Sequence, residues 1–158
     1  MPEIAINSKL SSPQRTIAPR LLTVMRGYAE RAGFALTVDL GFGRAAMSVP
    51  VRLELTGGES ATSVPFQLGS RERTDWFPVF RGEASVEEWG ALGSRLRLVG
   101  NYEVPLGALG TMVNRRVLGG VAERSLRVFL DGLRDDVRDE IHRSEAEIRQ
   151  RERQIRAM

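Results

Sequence analysis

One stretch constrains the fold more than any other. It runs from Leu96 to Leu133 and reads LRLVGNYEVPLGALGTMVNRRVLGGVAERSLRVFLDGL. An alternating segment, with Leu96 and Leu98 on one phase and Arg95 and Arg97 on the other, ends in Pro105-Leu106-Gly107 and feeds a long amphipathic helix. Val113, Val117, Val121, Leu126, Leu130, Leu133, Val137 and Ile141 recur at helical spacing. A long helix with one apolar stripe has to bury it, and an antiparallel sheet just before it in the chain is the surface at hand. Gly119-Gly120 interrupts the stripe at a cost of about 2 kcal/mol relative to alanines. The pair therefore predicts a kink, or a close approach of ligand or backbone. No nucleophile, metal cluster or phosphate loop lies in the stretch, so it argues for a fold before it argues for an activity.

Composition closes several routes. At 158 residues the chain is one ordinary domain with room for a core. The absence of cysteine excludes disulfides and thiol catalysis. One histidine cannot build a His-rich metal cage, and His142 sits among Asp139, Glu140 and Arg143, where it reads as solvated. No metal and no cofactor is expected. No apolar run is long enough for an integral membrane segment, and the start MPEIAINSKL lacks the apolar core of a signal peptide, so a cytoplasmic location is expected. The net charge is +3, carried by arginine, since Lys9 is the only lysine. The basic residues are scattered (Arg71 and Arg73, Arg115-Arg116, the run from Arg149), and the last run is interleaved with Glu145, Glu147 and Glu152. That mixed-sign pattern predicts no nucleic-acid partner. Gly41-Phe42-Gly43 is followed by no lysine and is no phosphate loop.

Along the chain, Ile4 to Ile6 begin a strand. Ser12 is a candidate cap with Pro13 at the first helical position. Ile17, Leu21, Leu22, Val24, Met25 and Tyr28 form a helical stripe, which Pro19 is expected to break into two short helices, with Gly33 as the stop. Strands follow over 34–40 and 47–55, joined by a turn at 41–44. Pro50 implies an edge or a bulge. A shorter strand holds Val64, Phe66 and Leu68, weakened by Pro65 at one ladder position. Another runs from Trp76 to Glu87, with Phe80, Gly82, Ala84 and Val86 on one face, and Tyr102 continues the inner phase of Leu96 and Leu98. Trp76-Phe77 and Trp89 flank the longest loops, where they either close a cavity mouth or cover the sheet end. Beyond Arg134 the pairs Asp139–Arg143, Glu145–Arg149, Glu147–Arg151 and Glu152–Arg156 stand at i,i+4 with the acid first, worth roughly 0.3–0.5 kcal/mol each. They predict a helix continuing past the body of the domain.

The order of elements, together with Leu98, Gly100, Tyr102, Pro105, Leu106, Gly107 and Gly110 followed by Val121-Ala122-Glu123, resembles the START-like (SRPBCC) superfamily, in particular its bacterial polyketide cyclase-like members. The likeness covers about the last third of the domain. Val104 stands where those relatives commonly carry proline, and the tail after Ile141 is longer than the fold needs. The resemblance implies an α+β helix-grip fold: a curved antiparallel sheet wrapped around the C-terminal helix, two short helices after the first strand, and an elongated cavity between sheet and helix. The helix-grip domain would occupy residues 1–141, and residues 142–158 would be a charged extension of the last helix.

Cavity-facing candidates are Phe66, Phe80, Tyr102, Val113, Val117 and Val121. The same apolar stripe would be needed to hold the fold with no ligand at all. Tyr102 could orient a polar group of a ligand, or satisfy a backbone group beside Pro105. Arg115-Arg116 could hold an anionic headgroup, or face solvent. An internal apolar cavity of a few hundred Å³ is expected, on the usual scale of small-molecule sites. The leading functional expectation is binding of a hydrophobic or amphipathic small molecule, lipid- or polyketide-like, without catalysis. Its rivals are a polyketide cyclase or aromatase, which needs acid–base groups in the pocket, and a protein-interaction module using the tail. Ile141, Ile148 and Ile155 form a thin seam, and Glu145 and Glu152 stand where a second apolar stripe would be, so a monomer or a weak dimer is expected.

Overall fold

The computed structural model describes residues 3–31, 34–39, 46–71, 78–103 and 115–158, without the side chains of 38, 39, 46, 47, 115–119 and 121. Strand β1 (Glu3–Leu10) leads into helix α1 (Gln14–Glu30). Strands β2 (Phe34–Asp39), β3 (Ala46–Leu55), β4 (Ser63–Ser70), β5 (Val79–Trp89) and β6 (Gly93–Glu103) precede helix α2 (Arg115–Arg156). All pairings are antiparallel, in the order β1-β6-β5-β4-β3-β2. Strands β2 to β6 are a meander, and β1 returns to pair with β6. The sheet curls as a half-barrel around α2, the arrangement that the long apolar stripe demands.

The core follows from period-two alternation against period-3.6 spacing. Ile4, Ile6 and Leu10, then Val49, Val51 and Leu53, Val64, Phe66 and Leu68, and Leu96 and Leu98 are buried on the concave face. Helix α2 answers with Ala122, Leu126, Phe129, Leu130, Leu133, Val137 and Ile141, all buried. Helix α1 contributes Ile17, Leu21, Met25 and Tyr28. Arg95 and Arg97 point outward, where both engage the Glu87 carboxylate, Arg97 at 3.1 Å. These two guanidinium hydrogen bonds hold the Glu87 carboxyl below the usual carboxylate range.

Several local expectations are corrected. Pro19 does not divide α1, which is one helix of 17 residues with Pro19 inside it. Proline removes one ladder hydrogen bond there, while four buried side chains on both sides of it clamp the helix to the sheet. The helix starts one residue later than expected. Pro13, not Ser12, is in the cap position, with no side-chain cap bond, and its carbonyl accepts from the Thr16 and Ile17 amides at 2.9 and 3.2 Å. The stop is at Arg31, whose amide bonds Gly27 O; Gly33 lies outside the described residues.

Pro50 lies neither on an edge strand nor, within the described pairing, at a bulge: β3 sits between β2 and β4. Its carbonyl accepts from Arg71, just past the last paired residue of β4, and the carbonyl of Pro65 accepts from Thr56, just past β3. Both prolines thus turn their missing N–H toward the two ends of the β3–β4 ladder, where a lost bond costs the sheet least. The 41–44 turn, Trp76 and Phe77 lie outside the described residues, and β5 begins at Val79 and runs to Trp89. Helix α2 passes through Gly119-Gly120 as continuous helix. A Cβ at Gly120 would first meet the Arg124 guanidinium at 3.2 Å, and among the described residues no backbone of another element stands closer than that.

Candidate functional site

Phe66, Phe80 and Tyr102 come together on the concave face. Phe80 pairs with Tyr102 in the β5–β6 register and with Leu68 across β4–β5, and the Phe66 and Phe80 rings lie 5.4 Å apart. All three are buried. Val117 and Val121 fall on α2 with side chains outside the description, and Val113, Arg115-Arg116 as side chains and the Pro105 turn lie outside it as well.

Where this part of the sheet meets α2 there is a crevice lined by Leu68, Pro78, Phe80, Tyr102, Ala122, Ser125 and Leu126. Its volume is about 10 Å³. That is room for roughly one water molecule, not for the expected few hundred Å³. The reason is local. Gly82 and Gly100 face each other across β5 and β6. A Cβ on Gly82 would stand 2.7 Å from the Gly100 Cα and 2.8 Å from Phe80 Cζ. The space that the glycines free on the concave face is taken by the Phe80 ring lying back on the sheet.

Sequence reasoning missed Leu68, Pro78, Ala122, Ser125 and Leu126 as lining residues. The signal was present in the helical spacing, since Ala122 and Leu126 stand at i and i+4 on the stripe that faces the strands. Among the described lining residues Tyr102 and Ser125 carry the side-chain hydroxyls. Trp89 is away from the crevice, at the other end of β5, packed between Lys9 at 5.0 Å and Arg95 at 4.6 Å.

From the crevice, aromatic rings continue across the core. Phe66 contacts Phe129 at 5.6 Å, Phe129 contacts Tyr28 at 6.0 Å, and Tyr28 stacks on Phe34 at 5.3 Å. The Tyr28 hydroxyl donates to the Asp136 carboxylate, tying α1 to α2. Burial first, and then this bond and the aspartate's charge, push the Tyr28 hydroxyl above the usual phenol range. Grooves also open on the surface among the described residues. One of about 310 Å³ lies beside Tyr28 and Asp136. Another of about 500 Å³ runs between the start of α1 and the β3–β4 and β5–β6 turns, with no aromatic ring among its described lining residues. No group of three or more potential metal ligands occurs among the described residues.

Comparison with solved structures supplies the fold's context. A START superfamily protein from Mycobacterium smegmatis matches at TM-score 0.50 and 13% identity, covering 87% of this chain and 97% of that one. The fold is START-like. The Zhui aromatase/cyclase from Streptomyces sp. R1128 matches at TM-score 0.56 and 16% identity, covering 89% and 95% of the two chains. A conserved protein from Geobacillus kaustophilus matches at TM-score 0.57 and 14% identity, covering 90% and 96%. No family model and no curated protein sequence matches this chain. At these identities the START-like neighbours share an architecture, and the side chains of the crevice are this chain's own.

Proposed function

We propose that this START-like protein binds a hydrophobic or amphipathic small molecule between the concave sheet and α2, at the end where Phe80, Tyr102 and Leu126 converge. The observation that carries the reading is the crevice itself: an apolar lining with two hydroxyls, at the place where a curved sheet grips a helix. Apolar walls supply affinity, and a few placed polar groups fix orientation. With Phe80 folded back over Gly82 and Gly100 the crevice holds no ligand larger than water, so uptake requires the Phe80 ring or its neighbours to move. Carriage without catalysis is the leading form. A cyclase or aromatase form draws support from the Zhui neighbour and would require an acid or base beyond Tyr102 and Ser125.

The test is uptake of the apolar fluorophore N-phenyl-1-naphthylamine by the full chain, with Ala122→Leu as the blocking variant. The added side chain fills the crevice from the helix side. Saturable uptake by the parent protein and its loss in a still-folded Ala122→Leu protein support the site. Unchanged uptake in the variant removes the crevice from the account.

A further inference from the structure

The groove of about 310 Å³ beside β2 is a second candidate site, separate from the crevice and independent of the reading above. It is lined by residues of three elements: Tyr28 and Arg31 at the end of α1, Phe34 to Thr37 of β2, and Val128, Phe129, Gly132 and Asp136 of α2. Val128, Gly132 and Asp136 recur every four residues and so form one face of the helix. A Cβ at Gly132 would meet nothing within 4 Å, so this face is open at its middle. Val128 is 41% exposed on this face. Strand β2 is the end of the sheet, and its outer backbone edge has no strand partner among the described residues.

The chemistry at the end of the groove is specific. Stacked Tyr28 and Phe34, with Phe129 behind them, make an aromatic wall. The Arg31 guanidinium sits 5.7 Å over the Tyr28 ring and forms no ion pair among the described residues. Asp136 accepts from the Tyr28 hydroxyl and retains acceptor capacity on its carboxylate. Among the described lining residues one cation and one anion thus flank an aromatic surface; Asp135, which also acts on Tyr28, is paired with Arg134 and Arg138. A ligand anion would gain Arg31 and be opposed by Asp136, and a ligand cation would meet the reverse. A neutral hydroxyl satisfies both, donating to the carboxylate and accepting from the guanidinium.

We propose that this groove binds a flat, uncharged aromatic molecule bearing a hydroxyl, its ring against Phe34, Phe129 and Val128 and its oxygen between Arg31 and Asp136. The volume falls at the lower end of small-molecule pockets, suited to one or two fused rings.

The test is a titration of the full chain with 2-naphthol, followed by backbone amide NMR, with naphthalene and 2-naphthoate as comparison arms. The expected result is saturable shifts concentrated at Ala35, Thr37 and Gly132. Affinity for 2-naphthol should exceed that for either comparison molecule at least fivefold. Gly132→Leu places a side chain in the open middle of the groove and should weaken 2-naphthol binding at least tenfold while the thermal transition is kept. Asp136→Asn should reduce the preference for 2-naphthol over naphthalene. Ala122→Leu, at the other site, should leave it unchanged. Shifts centred elsewhere, equal binding of naphthalene, tighter binding of 2-naphthoate, or an indifferent Gly132→Leu would each overturn the proposal. Because the parent protein alone supplies the shift map, the proposal stays testable even if a variant fails to fold.

Discussion

Helix α2 is one continuous element of 42 residues, yet its two ends live under different physics. From Ala122 to Ile141 it is gripped. Leu130, Leu133 and Val137 are fully enclosed, and Arg134 reaches across to the Ser8 hydroxyl of β1 at 2.9 Å. Beyond Ile141 every residue except Ser144 is exposed, and Ile148 and Ile155 stand 55% and 68% exposed. The first part is a helix because the sheet needs a cylinder to close on. The second is a helix because its own residues favour one, aided by local pairs such as Arg149 with Glu145 and Arg143 with Glu140. The difference shows that helical structure alone carries no information about where stability resides.

The largest effect should come from the gripped half. Leu133→Ala empties a fully enclosed position and should cost about 2–5 kcal/mol in urea unfolding. A cost below 1 kcal/mol would mean that the sheet does not close on this helix as described. Next comes the helix–helix tie. Tyr28→Phe leaves the Asp136 carboxylate without its phenolic donor and should cost about 1–2 kcal/mol, discounted for partial exposure.

The same pair has a pH signature. The Tyr28 hydroxyl is held above its ordinary value of 10.0 in the folded protein. Its contribution is therefore complete below about pH 10 and is lost as the pH rises beyond that, because the unfolded chain releases the proton first. Tyr28→Phe should flatten that alkaline limb of a stability–pH curve. On the acid side the sign reverses. Glu87 is held below its ordinary 4.5 by Arg95 and Arg97, so its contribution is present above that value and fades as the pH falls below it. Glu87→Gln should remove a small part of the acid limb and leave neutral-pH stability little changed, since these side chains are partly solvated.

The smallest effect belongs to the tail. Deleting Ser144 to Met158 removes residues that bury almost nothing and should shift stability by less than about 0.5 kcal/mol. A large loss, or a tight dimer by sedimentation that vanishes with Ile148→Asp, would recast the tail as an interface and collapse the contrast between the two ends.

The gripped half was legible because its signal is periodic. Leu126, Leu130, Leu133, Val137 and Ile141 repeat at 3 and 4, and Leu96 and Leu98 alternate with Arg95 and Arg97. Burial follows from those periods without knowledge of partners. Pro19 and Pro50 were misread because a proline's cost depends on the neighbour. Pro19 sits in a helix clamped from both sides, and Pro50 faces the end of a ladder, facts of tertiary pairing that no window of sequence contains. The crevice was half legible. Its wall residues Phe80 and Tyr102 stood out as inner-phase aromatics, while Phe66 packs behind Phe80 and does not line it. Its size did not, because it depends on Gly82 and Gly100 facing each other across two strands and bedding the Phe80 ring, a fact of tertiary pairing.

The most direct test of binding between sheet and helix is methyl NMR of the full chain titrated with N-phenyl-1-naphthylamine, reading Leu68 and Leu126 against Leu133 and Val137. The account predicts saturable shifts at Leu68 and Leu126, which line the crevice, and near silence at Leu133 and Val137 farther along the same helix. Saturation of the probe with Leu68 and Leu126 unmoved would contradict it.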